Sequence, residues 1–132
     1  MTTSNAKGIV TIPSAYPFAE TVERLLSTFA SHGIKTFATI DQCAEAAAVG
    51  LTLAPTTLII FGNPRAGTPL MAMQALSALD LPLKVLVTEA RPGEIVVSWN
   101  AAQYIVERHS LPAEMAKNLA PAEKLIEGAV AR

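Results

Sequence analysis

Aromatic residues make up only 5% of the 132-residue chain, and there is a single cysteine, Cys43. The first shortage means that a core has to be assembled from Ala, Val, Ile and Leu. The second excludes an intrachain disulfide and fits a reducing compartment, so a cytoplasmic location is expected. No run of one charge is present. Ten basic residues stand against eleven acidic ones, for a net charge of −1. A nucleic-acid binder is expected to carry a basic stripe, and none is visible. With one cysteine and two histidines, His32 and His109, no zinc-type ligand spacing exists, and no metal or cofactor is expected. The leading MTTSNAKGIVTIP has no apolar core of the signal-peptide kind. The longest uncharged stretch, Ala46 to Pro64, has the length of a membrane span but is broken by Gly50, Pro55, Gly62 and three threonines. No membrane association is therefore expected.

What is present is a hydrophobic fraction of 51% with 16% charged residues, the balance of a single buried-core domain over 1–132, with 1–7 as a flexible leader. Gly8 to Pro13 reads as a strand. Phe18, Val22, Leu25, Leu26 and Phe29 recur at helical spacing after Pro17, and Gly33 stands at the C-cap. Ile34 to Ile40 alternates as a strand, with Ile34, Thr36, Ala38 and Ile40 on one side. Asp41 then caps a short Ala-rich helix, Gln42 to Val49. Thr56 to Phe61 is apolar on both faces, which predicts a strand covered on both sides. Thr68 as N-cap and Pro69 as first residue predict a helix to Asp80. That helix is apolar nearly all round, a hint of a homodimer contact. Leu83 to Glu89 and Ile95 to Trp99 form a hairpin about Arg91-Pro92-Gly93-Glu94. Asn100 and Gln103 suggest a capping box for a helix to His109, and a helical tail follows. The order is β-α-β-α-β-α-β-β-α-α. It predicts an α+β fold with a mixed or mainly antiparallel sheet and helices on one side.

The stretch Gly62 to Pro69, GNPRAGTP, follows a buried strand and precedes a helix, where backbone amides and the helix dipole favour an anion. Its G-x-x-x-x-G spacing approaches a phosphate-binding loop. Thr68 stands where the loop's lysine belongs, so a nucleotide triphosphatase is rejected. Either a weaker polar or anionic site or a purely structural turn remains. Lys84 inside an apolar strand either points inward, with its acidity altered, or guards a sheet edge, and the edge role is the simpler one. Asp41 is explained by capping, Cys43 by filling an Ala-rich helix, and Trp99 by burial in the core. His109 at a helix C-terminus is favoured when charged, without any catalysis. No G-x-S-x-G elbow is present.

Four segments in order carry a family resemblance: Ile40-Asp41 before the Ala-rich helix, Leu51 to Met71, Leu79 to Val87, and Val97 to Asn100 with Glu107 to His109. In these the chain resembles family 302 of the domains of unknown function. The resemblance implies a TATA-binding-protein-like α+β fold that packs as a dimer, with no implication of DNA binding. The family has His where this chain has Gln42, and Tyr where it has Trp99. An Asp-His proton relay at 41–42 is thus absent here, and a polar binding role for Gln42 survives. The expected function is a homodimer binding a small polar or anionic ligand through Asp41, Gln42, Asn63, Gly67, Thr68, Lys84, Ser98 and Asn100. The alternatives are an enzyme using Asp41, Lys84 or His109 as acid or base, and an interaction module without a ligand.

Overall fold

The computed structural model describes residues 2–132, and Met1 lies outside the described residues. Its strands are β1 (Thr3–Ser4), β2 (Ile9–Pro13), β3 (Lys35–Asp41), β4 (Thr56–Gly62), β5 (Leu83–Arg91) and β6 (Glu94–Asn100). They form one sheet in the spatial order β1-β2-β6-β5-β4-β3. Every neighbouring pair is antiparallel. The helices are α1 (Phe18–Ser31), α2 (Gln42–Ala48), α3 (Pro64–Met73), α4 (Ala102–Arg108) and α5 (Ala120–Val130), with 3-10 segments at Ala75–Leu79 and Ala113–Asn118. The α+β class and the order of the main elements are those the sequence predicts. An additional strand, β1, pairs Thr3 with Thr11 and Ser4 with Val10.

Period-two alternation places Ile59, Phe61, Val85, Val87, Val97 and Trp99 on one face, all buried. Leu25 and Phe29 of α1 and Ile126, Ala129 and Val130 of α5 close over them. The rings of Phe29 and Phe61 stack with centroids 4.2 Å apart. Trp99 Nε1 donates to Glu123 Oε2 at 2.7 Å, which ties α5 to β6. A second cluster, Leu70, Leu81, Ala102, Ile105, Val106, Leu111 and Leu119, joins α3 and α4.

The opposite face differs from expectation. Leu58, Ile60, Leu86 and Val96 are only half-buried and belong to neither cluster. Leu58 pairs with Leu86 and Ile60 with Lys84, so these side chains shelter one another without a covering layer. An apolar strand therefore does not require two covering layers. A bulge between Thr36 and Ala38 also splits the predicted single side of β3.

The largest correction concerns α3. The helix begins at Pro64, not Pro69, because Asn63 is its cap: Asn63 Oδ1 accepts from the Arg65 amide at 3.0 Å. Thr68 and Pro69 therefore lie inside the helix. The helix stops at Gln74, which turns extended, and a 3-10 segment replaces the expected last turns. Nor is there a capping box at Asn100. Ala101 is the N-cap of α4 without a side-chain bond, and Gln103 bonds Glu107 instead. The hairpin loop is as expected, with Gly93 at φ +82°, where a type II turn places glycine.

Two stability predictions follow from this packing. Phe29→Ala removes a fully buried ring stacked on Phe61, and urea unfolding should show a loss of about 3–5 kcal/mol. Ser77 Oγ is buried without a hydrogen-bond partner, so Ser77→Ala should leave the melting temperature unchanged or raise it.

Candidate functional site

The residues singled out in the sequence fall into three places. Asn63, Gly67 and Thr68 line a cavity of about 240 Å³ at one end of β4. Lys84, Ser98 and Asn100 line a groove of about 190 Å³ on the open sheet face, with Ile9, Leu58 and Leu86. Asp41 and Gln42 sit at the far end of β4, where Asp41 pairs with Thr57, roughly 20 Å of strand from Asn63. Asp41 Oδ1 accepts from the Ala44 amide at 2.9 Å, the capping role expected of it. Gln42, the first residue of α2, is exposed and shares neither the cavity nor the groove.

The cavity lies where α3 leaves the sheet. Its floor is Gly62 and Leu83 at the paired ends of β4 and β5. Its walls are Phe37, Leu81, Pro82 and Leu119, and α3 covers it with Pro64, Gly67, Thr68 and Met71. The Leu81-Pro82 bond is cis. Local folding explains the placement. Asn63 starts the helix immediately after β4, and Leu70, about one turn on from Gly67, is fully buried in the second cluster. Asn118 Nδ2 donates to Ala66 O at 3.2 Å, which holds the middle of α3 against the 3-10 segment before Leu119.

The cavity and the groove share no lining residue. Pro82 lines the cavity, and its carbonyl accepts from Lys84 Nζ at 3.1 Å. Lys84 is thus on a central strand rather than a sheet edge, and its ammonium donates to one backbone carbonyl. Ser98 Oγ lies 2.9 Å from Thr11 Oγ1 across the β2–β6 pair.

His109 is placed elsewhere. It is buried at the C-cap of α4, with Nε2 2.6 Å from Asp80 Oδ2. Arg108 donates Nη1 to both oxygens of Asp80, at 3.1 and 3.0 Å. This cluster pins the end of the 3-10 segment Ala75–Leu79 to α4. Asp41, Lys84 and His109 therefore occupy three separate positions, so they form no common acid/base cleft. Among the described residues no group of three or more His, Cys, Asp or Glu is placed to hold a metal ion.

Sequence reasoning missed Phe37, Met71, Leu81 and Leu119 as cavity residues. Each is apolar and reads as core, and nothing in a linear pattern separates a residue that lines a hole from one that fills it. It also missed Asp80 as the partner of His109, since the two are 29 positions apart.

Comparison with known proteins adds to this geometry. Residues 10–130 match the family described as "Domain of unknown function DUF302". The fold is similar to the "Crystal structure of uncharacterized conserved protein DUF302 from Bacillus stearothermophilus", with a TM-score of 0.79 and 18% identity over 95% of this chain and 97% of that one. The chain is also 41% identical over 104 residues to "Fluoride-specific ion channel FluC 1" of Brucella suis biovar 1 (strain 1330), covering 79% of this chain and 41% of that protein. The match to "Fluoride-specific ion channel FluC 1" of Brucella abortus biovar 1 (strain 9-941) is also 41% over 104 residues, 38% of that protein. The chain thus spans about two-fifths of the length of these relatives. Among the described residues no helix is long and apolar enough to cross a membrane.

The two partners of Asp80 differ in burial. Asp80→Ala leaves the buried His109 ring without its partner and should cost about 1–3 kcal/mol in urea unfolding. Arg108→Ala removes a half-exposed partner and should cost less than about 1 kcal/mol.

Proposed function

The chain belongs to the DUF302 family, and on that premise we propose that it is a small-ligand-binding protein that works as a homodimer in the cytoplasm. One observation carries the reading: the Asn63–Thr68 segment, selected from sequence alone, lines a cavity of about 240 Å³. Asn63 and Thr68 are exposed polar groups on that lining, and Lys84, Ser98 and Asn100 line the separate groove on the open sheet face. This arrangement favours a ligand with at least one polar or anionic group. Asp41 and Gln42 are too distant to share this site, and any binding role for Gln42 is separate from it.

Two apolar surfaces support the dimer. One is the end of α3 and the 3-10 segment after it, where Met73, Leu76 and Leu79 are 58%, 65% and 70% exposed. The other is the open sheet face with Leu58, Ile60, Leu86 and Val96. The sheet face is the better candidate, because its residues are contiguous across three paired strands.

A second reading rests on the Brucella relatives. Their names describe fluoride channels, and about three-fifths of each lies outside the region this chain matches. Channel function would reside in that remainder, and the shared region would be an accessory domain that this chain supplies. On this reading fluoride belongs among the ligands to be tried.

Thermal-shift measurements with phosphate, sulfate, acetate and fluoride test the binding site. Stabilisation by an anion or by a neutral small molecule, reduced in Asn63→Ala, is expected; no response from any small molecule would sink the reading. For the dimer, light scattering should give twice the chain mass, and Leu86→Asp should give a folded monomer.

A further inference from the structure

We infer that the cavity under α3 takes a small, predominantly apolar molecule of about the size of indole, with any polar atom directed at Asn63 and Thr68. The inference rests on the binding reading above and adds the chemistry of the ligand.

The walls supply the first argument. Phe37, Met71, Leu81, Leu83 and Leu119 surround the space. These five side chains offer water no hydrogen-bond partner, and the polar side chains of the lining, Asn63 and Thr68, stand at its exposed rim. An anion placed among them would be stripped of water without a cation to replace it. Among the described residues no lysine or arginine is part of the lining: Lys84 donates to Pro82 O, and Lys35 Nζ lies over the Phe37 ring, 4.9 Å from its centroid. The size agrees. An apolar cavity of roughly 150 Å³ already holds benzene, and this one is about 240 Å³.

Gly67 supplies the second, independent argument. It lies inside α3, where glycine costs a helix about 1 kcal/mol relative to alanine. Its backbone gives no reason for glycine, since its φ is not among the positive values. Packing gives none either: a Cβ there would stand 3.8 Å from Leu81 Cδ1 and from Met71 Cε, an ordinary contact. What the missing side chain does is leave the cavity open. The surrounding structure is fixed so that the space does not collapse. Leu70 anchors α3 in the second cluster, Asn118 holds Ala66, and Asp80 secures the segment that follows.

Indole is the probe. Titrated into the full chain carrying ¹³C-methyl methionine, it should shift the Met71 ε-methyl resonance saturably and raise the melting temperature. Gly67→Leu should keep or raise the melting temperature of the unliganded protein, as loss of a helical glycine requires, and weaken indole binding by roughly tenfold or more. If Gly67→Leu does not fold, Gly67→Ala carries the test, with a weakening of roughly fourfold for one added methyl. An unmoved Met71 resonance, or equal affinity in the folded variants, overturns the inference. Stabilisation by an anion that is lost in Asn63→Ala, with no response to indole, overturns the apolar class and leaves the binding reading standing. No response to either overturns both.

Discussion

Six strands at about 4.8 Å spacing make a sheet roughly 24 Å wide, and two helices side by side cover about 20 Å of it. In this chain those two are α1 and α5, which pack against each other over Ile59, Phe61, Val85, Val87 and Val97. The remaining helical segments are placed elsewhere and make no second layer. α2 has seven residues and none of them buried, while α3 and α4 build a separate cluster at one end of the sheet. Coverage of one face is therefore complete, and the other face is left to shelter itself through cross-strand pairs.

The candidate site is a by-product of that distribution. α3 leaves the end of β4 directly, because Asn63 caps it without an intervening loop, and so it overhangs the sheet instead of lying on it. The space beneath is filled only partly, by side chains from β3, the 81–83 segment and Leu119. A site made this way has rigid walls and few functional groups. It suits recognition by shape far better than proton transfer, in agreement with the separation of Asp41, Lys84 and His109.

Where side-chain periodicity and caps decide the structure, the sequence was readable. The amphipathic stripe ending in Leu25 and Phe29, the Asp41 cap and the Pro92-Gly93 turn are all found as expected. Where two local signals compete, it was not. Thr68-Pro69 and Asn63-Pro64 are equally good helix starts, and the earlier one wins because Asn63 immediately follows the strand and bonds the Arg65 amide. Pro69 is then absorbed at the loss of one backbone bond. Coverage of a sheet face was not legible either, since Leu58 and Ile60 are as apolar as Ile59 and Phe61 and differ only in what the rest of the chain has left to place over them. The cavity needed segments 37, 62–71, 81–83 and 119 to meet, which no local pattern encodes.

The indole of Trp99 has a consequence of another kind. It is the only tryptophan in the chain, its N–H end is held by the Glu123 carboxylate at 2.7 Å, and its surroundings include Leu83 and Leu119. Those two leucines also form part of the cavity wall. The protein thus carries its own single-site fluorophore, fixed in orientation beside a negative charge and one residue removed from the space where a guest would sit. For a guest that does not itself fluoresce, unlike indole, emission from this one indole side chain would report occupancy of the neighbouring cavity without a dye or a label, and the same spectrum registers whether α5 is still attached to the sheet.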